Sequence, residues 1–458
     1  MKFRNTVILL VILIALSVYL YVVEIKQYEK EKKQEEIAEQ LFHFEADSIE
    51  TFEVENQYGN FEFKKIQGEW RITRPVYTDA EENTITSALN NLRDAKKERD
   101  FVINFQELKN YGLADGVLRV NLILADGTRD TLLIGDKTPV GSSVFAAKVD
   151  TLVYTISQNI KTSLDKKLFD WRFKNLLQFK RDDVNKIIIK KKNRNWEFDK
   201  MGSSDWQINA LNRPADAGKL NSLLSKLSSN RAKAFVDEEG VELKKYGLSP
   251  SPYQIELILG PEKGKKILSV SNEVNGKYYA KDDSRKPIFE IDSTLVKDID
   301  KPLTEYRSKD FVKLTTDEVD KIILEYSDTT MTCEKDTSGE WYLAQDGMLK
   351  LKKYKVTSFL SNIHFTKIKE YVEDDNIRPN RYGLDNPAVR IQLFEGESPL
   401  LTATFGNSKG DQIYAMNDQY QSIYLVAQSE VERLKLKQDD IIDESALEPD
   451  TASVGMNN

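Results

Sequence analysis

The stretch YGLADGVLRVNLIL at residues 111–124 begins with a tripeptide that recurs at residues 246–248 and 382–384. The spacings are almost constant, 246 − 111 = 135 and 382 − 246 = 136 residues. Similarity at a fixed spacing is the sequence signature of tandem structural units, so we predict three copies of one unit. A tryptophan precedes each tripeptide by 40 or 41 residues, and the recurring motif residues are Trp70, Tyr111, Gly112, Leu113, Trp206, Tyr246, Gly247, Leu248, Trp341, Tyr382, Gly383 and Leu384.

Each copy contains strand-like segments and one amphipathic helix. Short runs rich in β-branched and aromatic residues alternate with turn residues, a pattern typical of antiparallel hairpins. One helix per copy has apolar residues at i, i+3, i+4 and i+7, which must pack on a sheet. These faces are Ile85, Ala88, Leu89 and Leu92, then Leu220, Leu223, Leu224 and Leu227, then Val356, Phe359, Leu360 and Ile363. We therefore predict an α+β fold of three tandem repeats, each a mostly antiparallel sheet with a packed helix.

An apolar segment precedes the repeats. Residues Thr6 to Val23 read TVILLVILIALSVYLYVV, with no charged residue. As a helix this segment would extend roughly 27 Å, close to the thickness of the bilayer core, so it predicts one N-terminal transmembrane helix. A cleaved signal peptide is the alternative, but the run is longer than a typical signal core and no small-residue cleavage site follows it. The short N-terminal stub favours a single-pass protein of the inner (cytoplasmic) membrane, with the bulk of the chain periplasmic.

The segments on either side of the repeats are highly charged. Residues 24–43 carry interleaved charges and predict an exposed helical stalk, with a solvated linker as the alternative. The C-terminal segment is acidic with few apolar residues, which predicts disorder. The predicted organisation is a cytoplasmic stub at 1–5, a transmembrane helix at 6–23, the stalk at 24–43, repeat units at 44–177, 178–310 and 311–438, and a disordered acidic tail at 439–458.

Composition excludes several classes of function. The chain has 458 residues with 66 Lys and Arg against 74 Asp and Glu, a net charge of −8, so nucleic acid is a poor candidate partner. A single cysteine, Cys333, excludes a disulfide within the chain, and two histidines, His43 and His364, leave little for a zinc site or a catalytic triad. We predict no catalytic residues, no metal, no cofactor and no enzyme activity.

Individual motifs favour structural roles. The three motif glycines suit left-handed helix caps, and the three motif tryptophans suit core anchors rather than ligand-stacking platforms. The segment GPEKGK at 260–265 lacks the spacing of a phosphate loop and predicts a hairpin turn. The acidic cluster at 373–376 lacks calcium-loop spacing, so we interpret it as a solvated loop.

These patterns together resemble a known family. The first copy contains Trp70-Arg71-Ile72, Pro75, Asp79-Ala80, Tyr111-Gly112-Leu113, Ile134-Gly135-Asp136 and Val153-Tyr154. The second contains Asp170-Trp171-Arg172 at its junction, Trp206, Pro214-Ala215-Asp216-Ala217 and Tyr246-Gly247-Leu248; the third contains Trp341, Tyr382-Gly383-Leu384, Asp385 to Pro387 and Phe405-Gly406. The third copy has Gln345-Asp346-Gly347 where the Pro-Ala-Asp-Ala run is expected, and Ser271 replaces the glycine of the other copies. The combination is similar to the bacterial domain-of-unknown-function family 4340, over about residues 45–438.

The resemblance implies an envelope protein, often associated with gliding-type ABC export systems, to which no enzymatic activity is assigned. We therefore expect a non-catalytic, membrane-anchored scaffold or accessory subunit of an envelope transport complex, with protein partners there. The main alternative is an extracytoplasmic protein that binds a lipid or a glycan between its units, and an uncharacterised hydrolase is a third possibility. A flat apolar patch would favour a protein partner, whereas a deep cleft with converging polar groups would favour binding or catalysis.

Overall fold

Three nine-stranded antiparallel sheets with associated helices make up the described chain, which confirms the predicted α+β repeats. The structure is a computed structural model, and it describes residues 3–25, 28, 30, 32, 39–114, 117–148, 152–192, 194–261, 263–344 and 349–444. Of the predicted stalk, residues 26–27, 29, 31 and 33–38 lie outside the described residues, as do residues 445–458 of the predicted tail.

The strands follow one plan in the three sheets. The first sheet consists of β1 Ile49–Asn56, β2 Gly59–Ile66, β3 Glu69–Arg74, β4 Thr78–Asp79, β5 Arg99–Val102, β6 Leu118–Leu124, β7 Arg129–Lys137, β8 Ser143–Ala147 and β9 Leu152–Ser157. The second consists of β10 Val184–Lys191, β11 Arg194–Met201, β12 Asp205–Ile208, β13 Arg213–Pro214, β14 Ala234–Asp237, β15 Tyr253–Leu259, β16 Lys265–Val270, β17 Tyr278–Asp282 and β18 Ile288–Ile291. The third consists of β19 Lys321–Tyr326, β20 Thr330–Lys335, β21 Trp341–Leu343, β22 Leu349–Lys350, β23 Ile368–Glu373, β24 Val389–Glu395, β25 Ser398–Lys409, β26 Gln412–Asn417 and β27 Ile423–Ala427.

The strand order is identical in each sheet. In the first it is β4-β3-β2-β1-β6-β7-β8-β9-β5, in the second β13-β12-β11-β10-β15-β16-β17-β18-β14, and in the third β22-β21-β20-β19-β24-β25-β26-β27-β23. Sequential hairpins account for most of this order. Two pairings in each sheet are not sequential. The first strand pairs with the sixth, and the strand after the helix pairs with the last strand of the repeat, so the helix connects the two opposite edges of its sheet.

The apolar faces predicted for the three long helices are the faces that the structure buries. In every repeat the four predicted residues are the buried residues of the helix. The helices, in chain order, are α1 Phe3–Leu20, α2 Glu82–Arg93, α3 Gln158–Leu164, α4 Leu168–Trp171, α5 Ala217–Ser229, α6 Ser293–Ile299, α7 Lys353–Phe365, α8 Gln428–Glu432 and α9 Gln438–Ile441.

The structure divides into two compact units, residues 1–176 with 231–238 and residues 177–230 with 239–458. In the first unit, the α2 face packs with Phe52, Phe63 and Trp171 in one apolar core. In the second unit, the α7 face packs with Phe311, Trp341 and Phe405 in another. A smaller cluster in the first unit gathers Leu113, Val153 and the ring of Tyr111, which places the tripeptide outside the main core.

Apolar side chains beyond two of the predicted boundaries belong to the cores. Leu41 and Phe42, in the predicted stalk, are 3% and 1% exposed and pack in the first core. Their main chain is fixed by a bridge between Gln40 and Lys96. At the other end, α9 places Ile441 in the third core, so the third repeat extends past residue 438. The burial of these apolar residues is hard to predict from the sequence because charged residues surround them.

The N-terminal helix α1 ends at Leu20 and continues as a π-helical turn, Tyr21–Ile25. Within the described ranges, no helix has both the length and the apolar character needed to cross a membrane, so the predicted transmembrane helix at 6–23 is not found there. The large apolar side chains from Val7 to Val23 are exposed on every side of the helix.

Candidate functional site

The motif tryptophans and leucines lie in the interior of their repeats. Trp70, Trp206 and Trp341 are 4%, 3% and 3% exposed, as core anchors are expected to be. The leucine of each tripeptide is also buried. Each tyrosine packs edge-on or tilted against an aromatic ring of a neighbouring strand, with centroid distances of 4.9 Å for Tyr111–Phe145, 4.8 Å for Tyr246–Tyr279 and 4.6 Å for Tyr382–Tyr414. The structure therefore brings the motif residues to three separate packing sites.

The motif glycines have the left-handed backbone that the cap interpretation predicts, with φ of 66°, 66° and 70°. Gly112 and Gly383 end short 3-10 helices, Phe105–Tyr111 and Pro379–Tyr382. In the first and third repeats, a second glycine lies directly under this turn. A Cβ on Gly135 or Gly406 would collide with the carbonyl oxygen of the motif tyrosine.

The second unit contains a groove of about 1030 Å³. Its lining comes from residues 205–207, 212–218, 308–313 and 364–369. Its apolar lining includes Trp206, Tyr420 and Phe365, of which Phe365 is 64% exposed. We name this feature the second-unit groove.

Most charged side chains that line the second-unit groove form ion pairs. Lys313 Nζ lies 2.5 Å from Asp205 Oδ2, and Lys367 pairs with Asp310. The hydrogen bond to Lys313 is the main cause that lowers the pKa of Asp205. Lys309 is exposed and has no ion-pair partner among the described residues. The lining thus carries five basic and three acidic side chains beside its aromatic residues, which suits a weakly anionic ligand with an apolar part.

A stacked arginine lies close to the groove in the second unit. The guanidinium of the nearly buried Arg307 stacks on Tyr371, 3.5 Å from the ring centroid, and donates two hydrogen bonds of 2.6 and 2.7 Å to Asp374. Ser422 donates a third bond to the same carboxylate and accepts one from Arg213. Burial opposes ionisation of Asp374, but the hydrogen bonds and charge of Arg307 outweigh it and lower its pKa. The interpretation of residues 373–376 as a solvated loop is therefore wrong for Asp374.

The first unit contains the same arrangement. Arg172 is 1% exposed, stacks on Phe235 at 3.5 Å and donates to Glu238 at 2.6 Å. Sequence reasoning missed both arginine stacks, because their partners lie about 65 residues downstream. The sequence contains two signals. An arginine follows a buried aromatic residue in Asp170-Trp171-Arg172 and in Glu305-Tyr306-Arg307. In both partner segments an aromatic residue stands three positions before the acid, Phe235 before Glu238 and Tyr371 before Asp374.

Cys333 and His364 both have defined surroundings in the second unit. Cys333 is buried on β20, and burial raises the pKa of its thiol to about 12. His364 lines the second-unit groove, but its Nδ1 lies 2.9 Å from the carbonyl oxygen of Leu314. In the part of the chain that the structure describes, no group of three or more His, Cys, Asp or Glu side chains could hold a metal ion.

The sequence matches a family model described as "Domain of unknown function (DUF4340)" over residues 70–213, 206–379 and 341–456. Each match begins at a motif tryptophan, so the three matches mark three tandem copies. The chain belongs to this family. No curated protein matches the chain. Membership of the domain-of-unknown-function family 4340 assigns no activity to the chain.

Proposed function

We propose that the chain is a non-catalytic, membrane-attached scaffold or accessory subunit of an envelope transport complex, of ABC-type export or gliding-related kind. The observation that carries this proposal is the N-terminal helix. Between Val7 and Val23 its large apolar side chains are 40% to 66% exposed, with no polar face. A helix that is apolar all round is stable only when lipid or apolar protein surrounds it. With the basic residues Lys2 and Arg4 inside, the repeats would lie on the periplasmic side.

The repeats favour a scaffold over an enzyme. Their motif residues are used in packing, and Cys333 and His364 are held by burial and by a main-chain contact. A nucleophile with a raised pKa carries little thiolate at neutral pH, which argues against cysteine catalysis. Tandem units instead provide extended surfaces for protein contacts.

Fractionation and co-purification test the proposal. We expect the full chain in the membrane fraction, resistant to high salt and released by mild detergent, together with stoichiometric transporter subunits. A matched chain that begins at Glu39 should be soluble. Recovery of the full chain in the soluble fraction would contradict membrane attachment, and recovery from membranes without other proteins would contradict the accessory role.

A second candidate function is lipid or glycan binding in the second-unit groove. Its volume of about 1030 Å³ and its aromatic lining are the observations that favour it. Native mass spectrometry of the purified chain should then show a bound small molecule, which Phe365→Ser should weaken because Phe365 is exposed in the groove. Phe365→Tyr is the matched control. A ligand-free wild-type spectrum would leave the scaffold as the better account.

A further inference from the structure

A lysine-rich surface of the third repeat occupies a place that is acidic in the other two repeats. The position before the long helix is Glu81 in the first repeat, Asp216 in the second and Lys352 in the third. The spacings, 216 − 81 = 135 and 352 − 216 = 136, equal those of the tripeptide. Bridges at the preceding residue confirm the alignment: Ala80 with Arg172, Ala215 with Arg307 and Leu351 with Ile442.

Three further lysines flank Lys352. Lys350, Lys353 and Lys355 lie within three residues of it, beside Tyr354, whose side chain is 62% exposed. We name these five residues the lysine face. A cavity of about 850 Å³ opens there. The carboxylate of Glu340 lies 3.1 Å from Lys350 Nζ and 3.6 Å from Lys353 Nζ, so one acid serves two lysines. Neither Lys352 nor Lys355 has an ion-pair partner among the described residues.

Polypeptide lies beside the equivalent face in the other two repeats. In the first unit, the acid Glu81 forms an ion pair with Arg231. In the second, residues 308–313 line the groove together with Asp216, and the Ser308 N–H donates to the carbonyl oxygen of Pro214. The third repeat begins the same contact, with Asp443 N–H donating to the carbonyl oxygen of Lys350 at 2.9 Å. The face is therefore shaped for a polypeptide, but its charge is reversed.

We propose that the lysine face binds an acidic polypeptide segment of a protein partner, which would lie beside the start of α7 as residues 308–313 lie beside the start of α5. Charge complementarity selects the partner's chemistry, because a basic segment would meet four lysines against two acids, Glu340 and Asp443. The exposed ring of Tyr354 provides the apolar contact that interface hot spots favour. This inference rests on the proposed scaffold function, since it names the surface and the chemistry by which the scaffold would engage a partner.

A labelled peptide of alternating glutamate and serine tests the proposal by fluorescence anisotropy on the full chain in mild detergent. We expect binding that weakens with salt. Lys352→Glu with Lys353→Glu should weaken it by about tenfold or more, because attraction becomes repulsion. The matched control is Lys245→Glu with Lys277→Glu, which changes the net charge equally on exposed lysines of the second repeat. The control should leave the affinity within about twofold.

Several results would overturn the proposal. Equal losses in both double variants would indicate a general charge effect, and absence of binding to the wild type would refute it directly. Binding that appears only after deletion of residues 445–458 would make the chain's own acidic segment the occupant. Anionic phospholipid vesicles that bind in place of the peptide, with the same sensitivity to Lys352→Glu, would make the surface a lipid site. Lys352→Gln with Lys353→Gln repeats the test if the glutamate variant has an altered circular dichroism spectrum.

The same proposal can be tested in cells by placing a photo-crosslinking amino acid at position 354, in place of Tyr354. Crosslinks to an Asp- and Glu-rich segment of another protein, lost in the Lys352→Glu, Lys353→Glu variant, would support the proposal. Crosslinks to a segment without acidic residues would contradict it. Peptide binding without co-purified transporter subunits would overturn only the proposed role in a transport complex. Co-purification of transporter subunits with the Lys352→Glu, Lys353→Glu variant would overturn only the proposal that the lysine face binds the partner.

Discussion

Arg307 stacks on Tyr371 at the same distance, 3.5 Å, that separates Arg172 from Phe235. In each case a nearly buried guanidinium lies between an aromatic ring and a carboxylate. Burial makes such a group costly to leave unpaired, so the acid and the ring are needed together. The stacks therefore fix the segment that follows each of the first two repeats.

The first prediction concerns this stack in the second unit. Arg307→Ala should lower the free energy of unfolding by about 3 kcal/mol, because Asp374 would remain partly buried without its partner. Arg390→Ala removes the exposed pair with Glu325 and should cost less than about 1 kcal/mol. Urea denaturation followed by tryptophan fluorescence compares the two. Similar midpoints for both variants would show that the stack contributes no more than a surface pair.

The second prediction concerns the glycine under the tripeptide turn. Gly406→Ala should lower the free energy of unfolding by more than about 2 kcal/mol, because its Cβ would collide with the carbonyl oxygen of Tyr382. Gly410→Ala is the matched control: its φ is 66° but nothing lies within 4 Å of its added Cβ, so about 1 kcal/mol is expected. Thermal melts of the two variants test the difference, and a larger loss for Gly410→Ala would refute it.

The third prediction concerns the start of α7. Lys352 has no side-chain hydrogen bond at this helix N-terminus, whereas Asp216 accepts one from the Lys219 N–H at the start of α5. Lys352→Asp should therefore stabilise the third repeat by about 1 kcal/mol, and Asp216→Ala should destabilise the second by a similar amount. Calorimetry measures both. If a stabilised Lys352→Asp variant also binds the acidic peptide more weakly, unfolding is not the reason for the weaker binding. A lower melting temperature of Lys352→Asp would contradict the prediction.

The fourth prediction concerns the N-terminal boundary. A chain that begins at Glu39 should retain the stability of the first unit, whereas one that begins at Phe44 should lose about 3 kcal/mol or more, because it lacks the buried Leu41 and Phe42. Hydrogen exchange of strands β1 and β6 reports the first unit specifically. Equal protection in the two chains would show that residues 41–42 do not contribute to the core.

The fifth prediction concerns alkaline pH. The thiol of Cys333 keeps its proton to about pH 12 in the folded state, whereas an unfolded thiol loses it near pH 8.5. The folded state then binds the extra proton, so stability should fall as pH rises between about these values. Cys333→Ala should reduce this fall. Iodoacetamide should label Cys333 only as fast as the chain unfolds, and rapid labelling of the native protein would contradict its burial.

Local patterns were sufficient to predict the repeats and their helices. The i, i+3, i+4, i+7 faces, such as Leu220 to Leu227, coincide with the buried residues because one core dominates each helix. The aromatic partners of the tripeptides were not predictable, since Tyr111 and Phe145 meet only when the sheet is formed. The same holds for Arg307 and Tyr371, 64 residues apart. Burial of Leu41 was missed because the surrounding charges dominate the local pattern.

The junction before the first repeat also has a mechanical consequence. Main-chain hydrogen bonds of 2.8 Å run from the Leu41 N–H to Ala95 and from the Lys97 N–H to Glu39, and Leu41 and Phe42 are packed in the core behind them. Tension applied at residue 39 is therefore borne by the paired backbone of residues 39–41 and 95–97 and by the two buried side chains. A force applied at Glu39 would therefore act directly on the first sheet, because no unpaired residue separates Glu39 from these contacts.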